Sequence, residues 1–573
     1  MCDVLNVWCT GACSGPLDGD SQPQATKALV VVGVGINGYW RLPLAYYLTD
    51  GTNAELQHSL LLAVICKLWE ACCVVVSVTF DGLAANQKTL QLLGCNFDPQ
   101  NLTSVFPHPE CPSVSVAAIF DPCHMMKLAR NTLNEYQIIV VPGLGKAKWQ
   151  RVEFLHSKQN VEGLTLANKL TEAHLKFKTQ KMKVRLAVQV FSSSTARALE
   201  YLRLSGCPEF KDSLPTEVLL SKLDKLFDIL NSRSCYGKGY KAAITYANMS
   251  MRLAFLRECK EFLLQLQDST GQLLVNTKRR TFVVGLCVTI DSVVYLTEQL
   301  LAGCGINDVK LKYLATYKLS QDQIETLFSV IRRRGGWSNN PTCLQFSFAY
   351  RALLSHIGVV ATENANVQIA ASGDILAGPD DHSEEPMFTD QVLNEHSYAS
   401  YLPALTTYVE NVCCYVAGFV VRRLLPRVKC AECRALLVGV PDVDTSNYCF
   451  LQLKNNGGLI KPSNAVVTIV HKAEKHLRAY VPVDKPVHAI SRLGEKIERA
   501  VLSDVDCCKL FGSTDHMLDT AIGIDNHIFT LVRHIVRFFL AIRKFHIVKS
   551  WNIAQKGVSV RQSMTKLVLF KNQ

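Results

Sequence analysis

The stretch VVVSVTFDGLAANQKTLQLLG, residues 74–94, decides the fold. Its first seven residues are mostly β-branched and show no polar alternation, the pattern of a strand buried on both faces. The strand stops at Asp81, and helical spacing follows over 84–93. VAAIF (116–120) repeats the arrangement: it ends at Asp121, a helix is predicted from Cys123, and His124 stands one helical turn from Asp121. In open α/β sheets, the carboxyl ends of such strands are where ligands and metals bind. Each aspartate alone reads equally well as a helix cap, whereas two of them on neighbouring strands point towards a metal site. Upstream, Leu56, Leu60, Leu61, Val64, Leu68 and Trp69 recur at helical spacing. Before that helix, ALVVVGVGI (28–36) and YWRLPLAYYL (39–48) flank Asn37-Gly38, the signal for a two-residue hairpin turn. GVGING (33–38) satisfies G-x-G-x-x-G, but strand text follows where a dinucleotide site needs a helix. PGLGKAKW (142–149) places Ala147 where a phosphate loop needs a hydroxyl, and it reads as a connecting loop.

Residues 161–306 change character to amphipathic helix, as an inserted domain would. LSQDQIETLFSVIRRRGGWSNNPTCLQFSFAYRALL (319–354) then starts a helix at Ser320, with Asp322 and Glu325 three apart on one face. Those acids also suit the positive end of the helix dipole. With Arg332, Arg333 and Arg334 close by, they fit a site that holds a divalent metal beside phosphates. The chain of 573 residues is long enough for several domains, 48% hydrophobic, and carries a net charge of +12. Residues 361–400 hold eight acidic side chains and no Lys or Arg, which predicts a linker. From Arg533 onward there are nine basic side chains and no acidic one, an asymmetry that favours a polyanionic partner. The 22 cysteines are scattered through apolar contexts and read as reduced thiols. Cys430 and Cys433 form a C-x-x-C that fits a zinc pair or two ordinary thiols. No run of 18 apolar residues exists, so no membrane span is expected, and MCDVLNVWCTG does not read as a signal peptide.

Several of these segments resemble the P element family of DNA transposases, including the animal THAP-domain transposases. They are VSVTFDGLAANQKTLQLLG, FDPCHMMKLARN, NKLTEAHLKF with QKMKVRLAVQVFSSSTARALEYL, and SQDQIETLF with IRRRGGWSNNPTCLQF and AYRALL, all in the family's order over about 27–355. YVENVCCYVAGFVVRRL and NNGGLIKPS are similar to the family's tail region.

The resemblance implies an α/β RNase H-like core interrupted by an all-helical insertion domain that binds GTP, plus a mainly helical C-terminal domain. The expected boundaries are an irregular remnant at 1–26, core at 27–150, insertion at 151–312, last core helices at 313–360, acidic linker at 361–397 and a basic helical domain at 398–573. An acidic triad carries the family's chemistry with Mg²⁺ (or Mn²⁺). Asp81 matches its second aspartate and Glu325 its glutamate, both as metal ligands, with Asp322 beside them; Asp121 and His124 would orient the site. The first aspartate belongs on a strand before residue 28. Asp3, Asp18 and Asp20 lie in no such setting, so that strand is expected to be missing and cleavage impaired. The family's THAP zinc finger has no counterpart in the 26 residues before the hairpin. FDILNSRS (227–234) matches the guanine-reading segment, with Asp228 accepting from guanine N1–H and N2–H, Asn231 one turn on, and Lys169 of NKLT as a further candidate. The implied partners are DNA and further copies of the chain, and the implied location is the nucleus. The competing expectation is a domesticated relative that binds DNA or protein without cutting.

Overall fold

The computed structural model describes residues 3–10, 25–302 (apart from 37, 39 and 52), 310–334, 340–354, 402–439, 448–481, 492–511 (apart from 506) and 527–555. It divides into two units: one holds residues 1–156 and 169–375, the other 157–168 and 376–573.

The first unit is built on a six-stranded sheet. In chain order its strands are β1 Asp3–Thr10, β2 Lys27–Gly35, β3 Arg41–Thr49, β4 Cys73–Phe80, β5 Val105–His108 and β6 Cys111–Phe120. Their order across the sheet is β3-β2-β1-β4-β6-β5. β1 runs antiparallel to β2 and parallel to β4, and β4 runs parallel to β6. The first strand is therefore present, against the expectation of an irregular remnant over 1–26. It is a central strand, so its sequence VLNVWCT shows no polar alternation, and the Gly-, Ser- and Asp-rich text after it hides so short a run. Its hydrogen-bonding partners lie about 20–70 residues away along the chain.

The hairpin β2–β3 forms as expected, but its loop is wider than two residues. The Gly35 N–H donates to the Trp40 carbonyl at 3.0 Å, enclosing four residues. The Trp40 indole lies over Gly35, where an added Cβ would meet its Nε1 at 2.7 Å, and this packing holds the wider turn. One face of β2 (Ala28, Val30, Val32, Val34) packs against α11 Asp322–Arg334 and α12 Cys343–Leu354 through Ile324, Leu327, Phe328, Phe346 and Tyr350. Tyr46 of β3 closes this core, 4.7 Å from the Tyr350 ring centroid. α1 Ala54–Glu70 and α2 Ala84–Leu92 precede and follow β4, and α3 Pro122–Tyr136 follows β6.

PGLGKAKW is the tip and second strand of a small hairpin, β7 Ile138–Val141 with β8 Gly145–Lys148; Gly143 and Gly145 take φ of +68° and +110° at its turn. The insertion then supplies α4 Gln150–Glu162, α5 Glu172–Leu175, α6 Val184–Val190, α7 Ser193–Leu204, α8 Leu214–Leu230, α9 Met249–Leu264 and α10 Thr281–Thr297. It is not wholly helical: β9 Ile244–Thr245 pairs with β10 Tyr313–Leu314. Its last helix returns to the sheet. The Thr289 hydroxyl donates to the Phe120 carbonyl at 2.8 Å and accepts from the Phe120 N–H at 3.0 Å; Ser292 donates to the Ala118 carbonyl. These hydroxyls satisfy the side of β6 that faces away from β4, beyond the end of β5. The stretch Thr281–Ala302 is long and apolar enough to cross a membrane, and 72% of its apolar window is buried inside the protein.

The second unit packs α13 Thr407–Leu424, α14 Ala431–Leu437, α15 Cys449–Lys454, α16 Asn464–Tyr480, α17 Leu493–Asp504, α18 Cys507–Phe511 and α19 His527–Gln555. Within it, Glu474 is fully buried and bonds Arg543 at 2.7 and 2.8 Å and Arg478 at 2.9 Å. The same arginines donate to the carbonyls of Glu162 and Gly163 at the end of α4, and the Tyr408 hydroxyl donates to that of Leu164 at 2.7 Å. This explains why residues 157–168 belong to this unit.

Candidate active site

The carboxyl edge of β4 and β6 collects the predicted acids. Asp81 Oδ1 accepts from the Leu83 N–H at 3.1 Å and from Asn86 Nδ2 at 2.6 Å, so this oxygen is held against the start of α2. Asp121 caps α3, with Oδ2 accepting from the His124 N–H at 2.9 Å, while its Oδ1 accepts from the Gln321 N–H at 3.2 Å. The Thr79 hydroxyl donates to the Leu319 carbonyl at 2.9 Å. These two bonds lay residues 316–321 across the strand ends and deliver the first turn of α11 to the aspartates.

Asp322 is half-buried beside Cys123, whose thiol donates to Oδ1 at 3.7 Å, and Arg233, whose Nη2 donates to Oδ2 at 3.3 Å. Burial, with Asp121 adding its charge, pushes the Asp322 carboxyl up to about 7 against the pull of Arg233. Burial also raises Glu325; Lys127 and Arg332 oppose this, while Asp121 and Asp81 add to it. Burial lowers the His124 imidazole, with Lys127 pushing the same way and Asp121 and Asp81 resisting. Asp81, Asp121, His124, Asp322 and Glu325 thus share one electrostatic neighbourhood.

Among the described residues, the first strand brings no carboxylate to this edge. Trp8 pairs with Thr79 in the parallel register, so two residues further on Thr10 stands level with Asp81. The only acid in β1, Asp3, pairs with Cys73. That is eight residues from Asp81, roughly 26 Å along the strand at about 3.3 Å per residue. Among the described residues, no three His, Cys, Asp or Glu side chains converge to hold a metal ion. Among the described residues the donors at this edge thus fall short of the two-metal centre that the resemblance implies; Asp18 and Asp20 lie outside those residues. At Cys430 and Cys433 no third His, Cys, Asp or Glu joins the pair among the described residues.

In the insertion, Asp228 lies in the last turn of α8 and Asn231 is its C-cap. Burial and the charge of Asp224 push the Asp228 carboxyl up to about 6, with Lys241 and Arg252 opposing. The Asn231 Oδ1 is buried without a hydrogen-bond partner. Arg252 is 2% exposed and lies over the Tyr240 ring, 4.7 Å from its centroid, with Nε and Nη1 unpartnered. Lys169 is exposed, and no described hydrogen bond or ion pair joins it to Asp228 or Asn231. Arg233, Lys127 and Arg252 were not singled out from the sequence. For Arg252 a signal existed: a charged residue beside Leu253 on the buried face of α9.

Four family models match in chain order. They are the TNP-like RNase H N-terminal domain (10–94), the TNP-like GTP-binding insertion domain (123–243), the TNP-like RNase H C-terminal domain (317–351) and the C-terminal domain of DNA transposase THAP9 (404–549). DNA transposase THAP9 of Homo sapiens is 28% identical over 564 residues, covering 94% of this chain and 61% of that protein. Transposable element P transposase of Drosophila melanogaster is 24% identical over 449 residues, covering 75% and 54%. The chain thus spans a little over half the length of these curated relatives. A solved structure, the Drosophila P element transposase strand transfer complex, has a similar fold, with a TM-score of 0.52 at 22% identity over 61% of this chain and 76% of that one. The chain belongs to the P element/THAP9-like transposase family.

Proposed function

We propose that the chain is a P element-like transposase protein that binds DNA and GTP, acts as a homo-oligomer in the nucleus, and is impaired in strand cleavage. The observation that carries the impairment is the register of β1, which sets Thr10 rather than a carboxylate level with Asp81. A two-metal displacement needs ligands on both sides of the attacking and leaving oxygens. Here Asp81 and Glu325 supply one side only, and Asp322 is engaged by Arg233. Mg²⁺ or Mn²⁺ would be held weakly, by Asp81 and Glu325. In the insertion, the Asp228 carboxylate accepts from two donors on the guanine edge that adenine does not present. No phosphate loop supports hydrolysis as an energy source, so GTP serves assembly.

The shared edge of Asp81 and Glu325 favours a second reading, a cleaving transposase. Plasmid nicking by the full chain in Mn²⁺ with GTP separates the two. The proposal expects no nicking above a Glu325→Ala control and a gain in Thr10→Asp. Nicking by the unaltered chain that Glu325→Ala abolishes would establish the second reading.

A further inference from the structure

The residues that follow Asp228 are fastened to the segment that leads into α11. Thr316 is fully buried; its hydroxyl donates to the Ile229 carbonyl, accepts from the Ser232 N–H at 3.0 Å and lies 3.0 Å from the Ser232 hydroxyl. The Tyr317 N–H donates to the Ser232 carbonyl at 3.1 Å. One residue on, Arg233 pairs with Asp322 at 3.3 Å and stands over the Tyr317 ring at 5.7 Å. The strap from Ile229 to Arg233 thus carries Asn231 at its centre and the partner of Asp322 at its end. The Asn231 carbonyl oxygen atom Oδ1, buried without a partner, is a group that a ligand's donor would satisfy.

We propose that Arg233 is a positioning residue that couples guanine-nucleotide binding at Asp228 and Asn231 to the placement of α11, through its ion pair with Asp322. This rests on the guanine-nucleotide reading above. A ligand that draws on Asn231 moves the backbone that Thr316 and Tyr317 grip, and so moves Arg233 relative to Asp322. Conversely, an intact Arg233–Asp322 pair holds Asn231 and the end of α8 in the binding geometry. Linkage makes the two effects equal in size. Sequence separation hides the link, since Arg233 and Asp322 are 89 residues apart.

The test is a double-mutant cycle on the full chain, read by calorimetric titration with GTP. Arg233→Met and Asp322→Asn should each weaken GTP binding between about 5- and 150-fold, the usual span of such couplings. The double variant should bind no worse than the weaker single one, and Arg233→Lys should recover most of the affinity. Hydrogen exchange supplies a readout that a merely structural role would not move. GTP should slow exchange across Asp322–Arg334 in the unaltered chain and not in Arg233→Met. If Arg233→Met does not fold, Arg233→Lys and Asp322→Asn carry the test through the same two readouts. GTP affinity that is unchanged in Arg233→Met, or single losses that simply add, would overturn the coupling and leave the nucleotide site standing. An unaltered chain that does not bind GTP would overturn both.

Discussion

Replacing Lys318 by Met tests whether the β2–β3 loop is held from across the sheet. The Lys318 ammonium donates to the carbonyls of Gly35, Ile36 and Gly38 at 3.0, 2.9 and 2.6 Å, although 280 or more residues separate the partners. Three acceptors match the three N–H donors of a protonated lysine and of no other side chain of that shape. Methionine is of similar length and leaves all three carbonyls without that donor. Gly35 and Ile36 are buried, and each buried acceptor left unsatisfied costs about 1–3 kcal/mol. Part of this returns, because Lys318 is only 8% exposed and the desolvation of its ammonium is relieved. A net loss of about 2–4 kcal/mol remains. Two units make global unfolding a poor measure, so the assay is amide exchange at Gly35, whose N–H closes the loop onto Trp40. At tenfold per 1.4 kcal/mol, exchange there should accelerate about 30- to 700-fold. Acceleration below about threefold would show that the three contacts contribute nothing to holding the loop, and the reasoning would fail.

Other outcomes follow from the same geometry. Asp228, raised to about 6, should bind GTP only when ionised, so affinity should fall as pH drops through 6, approaching tenfold per unit. For the unliganded chain the sign reverses: between about 4 and 6 the folded form holds a proton that the unfolded form has lost, so this group's contribution to stability declines as pH rises. Asp228→Asn should flatten the binding profile and favour xanthine over guanine nucleotides; a flat profile in the unaltered chain from pH 5 to 7 would remove Asp228 from the base edge. Arg543→Met strips two bonds from the buried Glu474 and should cost about 3–5 kcal/mol, seen as lost exchange protection in α16 and at residues 157–168 together. Gly418→Ala drives a methyl to 2.5 Å from the Ile460 carbonyl oxygen, a backbone atom that cannot swing away, and should lower the urea midpoint of the second unit by the equivalent of about 1–3 kcal/mol.

Local patterning made much of the core legible. β4 and β6 are apolar runs that end at Asp81 and Asp121, and a chain that must bury both faces of a strand writes this into seven consecutive residues. The helix from Asp322 announced itself by acids in its first turn and arginines in its last. Misreadings occurred where the deciding interaction is remote. β1 looked irregular because its ladder is made with β2 and β4, and the hairpin loop was underestimated because the fit of Trp40 onto Gly35 outweighs the Asn-Gly preference.

By itself the sequence determined the family, the order of core and insertion, and which acids end which strands, because these depend on residue type and on spacing within one element. Only the tertiary structure decided that Asp322 faces Arg233, that Lys318 caps three carbonyls of a hairpin nearly 300 residues away, and that Thr10 rather than a carboxylate is level with Asp81. Those are statements about register and about pairs of elements. A side chain's role there is set by which partner relieves its desolvation, and that partner is chosen by packing, not by position along the chain.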